Sequence, residues 1–379
     1  MTTATKLAEK KNNRSGLVDV LKGLACAVIV LHHLSSYGPM VDVARPLVPD
    51  LMAFLYNYGR LAVQVFLVVA GFMAAASLAP QGLARFEGGL KLIGRRYARL
   101  ALPYFVALTA AIWAAGLARQ GQYSESIPAA ASVGDVIIHM LMLQDVLGID
   151  ALSAGAWYLA IDLQLFALTV LILAAARWLA MHSSAEVAVQ WSVGLVAVAC
   201  AASLLWFNRH PELDVTAIYF YGSYGLGLLT YWAVHSSNPQ TRKAMLASIA
   251  VLGVAALAVE FRERIALALF VALALLLATR SSVAQAVLNS RQLGPLRYLG
   301  RISYSVFLIH YPVLLLFNAL MGQWWPHEPW ANAFAMMLTF ACSVAVADQL
   351  YRHVENLPLS RLRFVMLAAP LFMVTAMAR

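Results

Sequence analysis

Charge is what this sequence has least of. Only 12% of its 379 residues are Asp, Glu, Lys or Arg, whereas 62% are hydrophobic and the mean hydropathy is +0.73. Soluble proteins carry about 25% charged residues, which they need to cover a water-facing surface. The composition therefore excludes a soluble globular protein, and its wealth of apolar side chains excludes a disordered one. The apolar excess predicts a membrane protein.

Cysteine is also scarce, and its placement excludes two further classes. The three cysteines, Cys26, Cys200 and Cys342, lie far apart inside apolar runs. Their spacing favours neither a disulfide framework nor a thiolate metal site. No HxxxH or HxH pair accompanies a carboxylate on one helix face either, so we expect no metal.

The sequence also lacks a cleavable signal peptide and a clustered basic face. The segment before residue 16 has no apolar core that ends at a small-residue cleavage site, so the first apolar stretch is expected to be a retained span. The net charge is +9, yet Lys and Arg occur in short groups between apolar segments. That distribution is typical of loops beside an anionic membrane leaflet rather than of a nucleic-acid-binding face.

The apolar runs predict an all-α polytopic transmembrane bundle of about ten spans. A span needs roughly 20 apolar residues. We place them near 17–36, 51–79, 100–118, 155–180, 190–207, 215–234, 244–260, 264–280, 302–320 and 331–351. About 19 Lys and Arg fall on one side against about five on the other, which predicts that both termini are cytoplasmic.

The rest of the chain divides around these spans. Residues 1–16 form a predicted cytoplasmic tail, 17–361 the transmembrane domain, and 362–379 an apolar tail that is either an eleventh span or a cover. The apolar stretch 133–147 is short and interrupted by polar residues, which favours a re-entrant or interfacial helix.

Several ionisable side chains lie inside the first span, where each is costly and therefore a functional hypothesis. Asp19 and Lys22 are three residues apart and can pair. His33 lies eleven residues beyond Lys22, within about 20° of the same helix face and about 16 Å further along. An interfacial ion pair with histidines at the span end is the alternative reading of this pattern.

Two other spans place polar residues at a depth similar to that of His33. The second span carries Gln64, and the fourth begins with Asp162 a turn or two below the surface. A histidine whose second ring nitrogen is held by a carboxylate is the usual form of a general base. We therefore expect His33 to be oriented by Asp162, although Asp162 as a helix cap is also consistent with the sequence.

The cytoplasmic side and the ninth span supply the remaining candidates. Arg96 and Arg99, at i and i+3, form a fork suited to phosphate oxygens, although membrane anchoring by snorkelling arginines also explains them. The ninth span carries Tyr304, Ser305 and His310. His310 precedes Pro312 by two residues, which favours the wall of a cavity over lipid; a hydrogen-bonded core histidine is the alternative.

These segments, in this order, resemble the membrane acyltransferase-3 family, the bacterial O-acyltransferases of sugars and related acceptors. The resemblance rests on VDVLKGLACAVIVLHH, GRLAVQVFLVVAGF, RRYAR, WYLAIDLQLF, GRISYSVFLIHYPV and VENLPLSR. The chain departs from the family at Lys22, where many members carry Arg. It departs again at Leu163, where a second acidic residue is usual.

The resemblance implies transfer of an acyl group, most often acetyl from acetyl-CoA, to a hydroxyl of a carbohydrate or lipid-linked glycan at the bacterial inner membrane. It implies that His33 is the catalytic histidine and that Arg96 and Arg99 bind the donor. In this mechanism Lys22 is a further cation for the donor, and Gln64 or Tyr304 stabilises the oxyanion. An acyl-histidine relay, a proton-coupled transporter and a glycan flippase are the alternatives.

Overall fold

The computed structural model describes residues 16–121 and 127–377, and within these ranges every regular element is helical. The predicted all-α fold is therefore confirmed. The helices are α1 (Gly16–Leu34), α2 (Pro39–Ala44), α3 (Pro49–Tyr58), α4 (Val63–Leu78), α5 (Gly89–Gly121), α6 (Val133–Met140), α7 (Ala156–Leu179), α8 (Ala185–Leu205), α9 (Ala217–His235), α10 (Pro239–Val259), α11 (Glu263–Arg280), α12 (Ser282–Leu288), α13 (Gly294–Trp324), α14 (Pro329–Leu350) and α15 (Arg361–Met377).

Eight helical segments in the described ranges are long and apolar enough to cross a membrane, and the pair α11–α12, bent by 103°, makes a ninth. These counts make the chain a multi-pass membrane protein. The sixth predicted span, 215–234, corresponds to α9, which does not meet the same hydropathy criterion. Fifteen of its 19 residues are buried, so protein rather than lipid surrounds it, and it can carry Tyr, Ser, Thr and Gly. The cytoplasmic position of both termini stays a prediction.

Helix α9 packs closely along α4 at the centre of the bundle. A Cβ added at Gly71 of α4 would lie 1.9 Å from the Tyr224 carbonyl oxygen, so only glycine permits this backbone approach. Ser223, beside Tyr224, reaches Gln64 at the first turn of α4. The contact fixes the depth of both polar side chains.

Helices α1 and α13 run in the same direction and in register. The Cys26 thiol donates to the Ser303 carbonyl at 3.8 Å, and His33 meets His310, so both contacts join residues 277 positions apart. Seven residues are two helical turns, which keeps both contacts on the same two faces. We call the end of the bundle at Gly16 the inner end and the end at Leu34 the outer end.

The short apolar stretch 133–147 and the apolar tail after residue 361 both have residues packed against α5. Helix α6 has eight residues and cannot cross a membrane, in agreement with its predicted re-entrant or interfacial character. Its last carbonyl, on Met140, accepts a hydrogen bond from Tyr97 at 2.8 Å. The ring of Phe364, in α15, packs on Tyr97 and on Phe105, so this part of the apolar tail covers α5. Residues 1–15, 378 and 379 of the predicted tails lie outside the described residues.

Candidate active site

The predicted histidine of α1 is paired with the predicted histidine of α13. His33 Nδ1 lies 2.6 Å from His310 Nε2, and the two rings are nearly parallel at 13°. Both side chains are buried, at 6% and 1% exposure. His33 therefore faces protein rather than lipid, and the packing of α1 on α13 sets its position.

The hydrogen bonds of the pair determine which nitrogen carries each proton. His310 Nδ1 lies 3.2 Å from the Val306 carbonyl oxygen, which only accepts, so His310 Nδ1 donates. In a neutral imidazole the other nitrogen then accepts, so His310 Nε2 accepts from His33 Nδ1. It follows that His33 Nε2 carries the lone pair, which makes it the proton acceptor of the pair.

The expectation that Asp162 orients His33 is wrong. Asp162 Oδ2 instead accepts hydrogen bonds from Arg96 Nη2 at 2.6 Å and from Arg96 Nε at 3.1 Å. The Asp162 side chain is 8% exposed, and a carboxylate so deeply placed needs an opposite charge. Arg96 supplies it from α5, and the partner of His33 is His310 rather than Asp162.

The two arginines of the predicted phosphate fork have different surroundings. The Arg96 guanidinium is turned toward Asp162 and lies over the ring of Phe166, 5.4 Å from its centroid. Its side chain is nevertheless 37% exposed. Arg99 lies exposed on the surface of α5. Phosphate binding by the pair stays a prediction, and Arg99 is the more accessible member.

Asp19 and Lys22 lie at the inner end of α1, far from the histidine pair. Lys22 is about 16 Å and Asp19 about 21 Å from His33 along the helix axis. Asp19 is buried where α1 meets α13, since a Cβ at Gly300 would lie 1.7 Å from the Asp19 carbonyl oxygen. Neither side chain is placed to touch a reaction at His33.

Tyr304 and Gln64, the two candidates for oxyanion stabilisation, differ in their hydrogen-bond partners. The Tyr304 hydroxyl donates to the Leu100 carbonyl at 2.7 Å, so its one hydrogen is committed. Gln64 accepts from Ser223 at 2.6 Å through Oε1, which leaves its amide hydrogens for other partners. Gln64 also lines a cavity of about 800 Å³ at the outer end. This geometry favours Gln64 over Tyr304.

Ser305 is buried and donates to Glu355 at 2.7 Å, which ties α13 to the π-helical turn Tyr351–Glu355. Glu355 was not among the predicted site residues. The signal that could have identified it is its place in the VENLPLSR motif, directly after the last span. Ser305 therefore has a structural partner in Glu355 and does not hydrogen-bond His33 or His310.

Aromatic rings connect the histidine pair to the Arg96–Asp162 pair. Phe307 packs on His310 with centroids 6.1 Å apart, and Tyr158 packs on Phe307 at 5.5 Å. Tyr158 lies one helical turn before Asp162. Sequence analysis missed both rings, because aromatic residues in a span are ordinarily lipid-facing or core residues. In the structure they form a succession of ring contacts from His310 toward Asp162.

Among the residues that the structure describes, no three His, Cys, Asp or Glu side chains cluster as a metal site requires. A metal-free mechanism stays a prediction.

Comparisons with known proteins identify the family. A family model described as "Acyltransferase domain" matches residues 16–348. The chain is also similar to the "Regulator of hypoxia-inducible factor 1" of Caenorhabditis elegans, with 25% identity over 172 residues. Those residues are 42% of this chain and 34% of the relative, so the chain spans about a third of the relative's length. No solved structure matches. The match over residues 16–348 shows that the chain belongs to the acyltransferase-3 family of membrane acyltransferases.

Proposed function

We propose that the protein transfers an acyl group, acetyl by default, from cytoplasmic acetyl-CoA to a hydroxyl of a carbohydrate or lipid-linked glycan at the bacterial inner membrane. The observation that carries the proposal is the direction of the hydrogen bond from His33 Nδ1 to His310 Nε2, which leaves a lone pair on His33 Nε2. A neutral, buried imidazole with one free nitrogen is suited to act as a general base.

The reaction follows from that lone pair. His33 Nε2 takes the proton of the acceptor hydroxyl while the oxygen bonds to the thioester carbonyl carbon. Gln64 donates to the oxyanion that forms. The intermediate collapses, the carbon–sulfur bond breaks, and the CoA thiolate takes the proton from His33. The products are an ester and CoA, and His33 is again neutral. His310 accepts from His33 Nδ1 throughout and stabilises the transient imidazolium.

The donor reaches this site from the inner end. Arg99 is exposed on α5 and binds the CoA phosphates, with Lys22 as a further cation along α1. Arg96 is the less accessible member of the pair. It neutralises Asp162 and keeps α5 against α7.

The proposal is tested in cells that carry a deletion of the gene. Complementation with the unchanged gene should restore an acetyl mass increment on a surface glycan, and complementation with His33→Ala should not. His32→Ala is the matched control, because His32 adjoins His33 but hydrogen-bonds the Leu55 carbonyl. A glycan still acetylated by the His33→Ala protein, at the level of the control, would refute His33 as the base.

A further inference from the structure

The turn that follows α1 folds back over the last turn of that helix. The backbone N–H of Tyr37 donates to the His33 carbonyl at 3.0 Å, and that of Ser36 donates to the same carbonyl at 3.1 Å. Gly38 comes next with a φ of +89°, a left-handed conformation that favours glycine. Because α1 ends at Leu34 at the outer end, this turn lies on the outer side of His33.

The side chain of Tyr37 is in direct contact with the His33 ring. The two ring centroids are 5.5 Å apart and the ring planes are inclined by 59°. His310 occupies another side of His33, with its ring stacked nearly parallel at 4.8 Å. Tyr37 is half-buried whereas His33 is only 6% exposed. The tyrosine is therefore the member of the contact that lies nearer the surface.

Helices α5 and α13 pack around the Tyr37 ring. Its neighbour in α13 is Tyr311, which meets it edge-on at 5.7 Å and 77°. Tyr37 packs on a buried apolar cluster at the outer ends of the two helices, formed by Ala114, Ala115, Tyr311 and Leu315. Burial raises the pKa of the Tyr37 hydroxyl, so this group is neutral at physiological pH. The outer side of His33 is thus covered by an uncharged ring in apolar surroundings.

The backbone on both sides of Gly38 is held by one side chain of α13, Asn318. Its Nδ2 donates to the Tyr37 carbonyl at 3.2 Å, and its Oδ1 accepts from the Met40 N–H at 3.1 Å. Asn318 is buried, and a Cβ at Gly38 would lie 2.2 Å from its Nδ2, so a larger residue would push the turn away. The position of the Tyr37 ring over His33 therefore depends on Asn318.

The inner side of the histidine pair is covered as well. Phe307 precedes His310 in α13 and packs on its ring, with centroids 6.1 Å apart. Aromatic rings thus lie before and beyond the pair along the helix axes. Exclusion of water from an active site prevents hydrolysis of reactive groups. A thioester is such a group, because a general base activates water as readily as it activates the hydroxyl of an acceptor.

We propose that the Tyr37 ring shields His33 from water on the outer side, so that acetyl passes to the acceptor hydroxyl and not to water. The inference rests on the proposed function for the identities of the base and the donor. In the reaction that Tyr37 suppresses, His33 Nε2 takes a proton from water while the water oxygen bonds to the thioester carbonyl carbon. The carbon–sulfur bond then breaks, the CoA thiolate takes the proton from His33, and acetic acid and CoA leave.

The first test measures access to His33 without requiring turnover. Diethyl pyrocarbonate adds an ethoxycarbonyl group to neutral imidazoles that it can reach, and mass spectrometry gives the rate at His33 relative to that at the exposed His327. We expect Tyr37→Ala to raise this ratio about fivefold or more and Tyr37→Phe, which keeps the ring, to change it less than about twofold. Asn318→Ala should also raise it, because the turn is released.

The second test measures hydrolysis of radiolabelled acetyl-CoA by purified protein in the absence of glycan. Tyr37→Ala should release acetate about fivefold faster than the unchanged protein. Tyr37→Ala combined with His33→Ala should return the rate to background, because the water is activated by His33. Tyr58→Ala is the matched control, since Tyr58 is an exposed tyrosine of α3 whose ring packs on Phe54. It should match the unchanged protein in both tests.

The results separate the shield from the proposed function. An unchanged modification ratio at His33 in Tyr37→Ala, or hydrolysis that persists in the double variant, would overturn the shield even if the glycan is still acetylated. A raised ratio in a protein that neither transfers nor hydrolyses acetyl would support the shield and refute the proposed function. Buried His139 stays unmodified in a folded protein. If Tyr37→Ala exposes His139, the same comparison is decided with Asn318→Ala.

Discussion

At the scale of single residues, the account depends on which nitrogen of His33 is free. His310→Ala removes the acceptor that holds the proton on His33 Nδ1. We expect kcat for acetyl transfer to fall about 10–100-fold while the dissociation constant of acetyl-CoA stays the same, because the base is still present but wrongly oriented. His310→Gln should recover part of the rate, since its amide oxygen can accept from the same hydrogen. A loss of rate that His310→Gln does not recover at all would indicate a merely structural role.

Binding of the acyl donor also depends on a single residue, Arg99. Arg99→Ala should weaken acetyl-CoA binding about tenfold at low salt, and less at high salt, because a guanidinium–phosphate bond is charge-assisted and screened. Isothermal titration calorimetry of the purified protein measures the dissociation constant of acetyl-CoA at each salt concentration. Arg85→Ala is the matched control, since Arg85 is also an exposed arginine but precedes α5 and donates to Gln81. Equal losses for the two variants would mean that general positive charge, not Arg99, attracts the donor.

The sequence identified most of the reactive side chains but not their partners. His33, His310 and Asp162 each stand out as polar residues in apolar runs, and Arg96 belongs to a basic cluster beside one, which a single sequence shows directly. Their pairing depends on which helix faces meet, and His33 and His310 are 277 residues apart. Helix periodicity gives the face of each residue on its own helix, but it does not give the neighbour of that face.

At the scale of helices, the contact between α1 and α13 positions the histidine pair. Gly300→Ala would put a Cβ against the Asp19 carbonyl and force the two helices apart. We expect a destabilisation of about 1–3 kcal/mol, the usual cost of overpacking, together with a lower rate of acetyl transfer. The midpoint of thermal unfolding in detergent measures the first effect.

Gly94→Ala provides the control for that experiment. A Cβ at Gly94 of α5 meets no atom within 4 Å. The change should leave the unfolding midpoint the same or raise it slightly, because alanine is the better helix former. If Gly300→Ala behaved like Gly94→Ala, the close approach of α1 and α13 would not be required.

The spans were predictable where lipid-facing residues dominate a helix. Helix α9 was also expected as a span, from its length between polar loops, although it falls short of the hydropathy criterion that the others meet. The register of α1 against α13 was not predictable, because it is set by individual contacts such as Gly300 against Asp19.

At the scale of the whole molecule, the account predicts that α9 crosses the membrane. Ser237 and Glu212 flank the two ends of α9 and are both exposed. We expect a membrane-impermeant maleimide to label Glu212→Cys in intact cells, and Ser237→Cys only after permeabilisation, in a Cys342→Ser background. This result follows from positive-inside orientation and ten crossings. Labelling of both positions in intact cells would show that α9 does not cross.

The central claim is that His33 Nε2 takes the acceptor proton. The most direct measurement uses purified protein, radiolabelled acetyl-CoA and a glycan extract of the source organism, and compares His33→Ala with the unchanged protein. The account predicts that kcat falls by about 10²–10⁴-fold while the dissociation constant of acetyl-CoA remains within about twofold. Transfer by His33→Ala at a rate near that of the unchanged protein would contradict it.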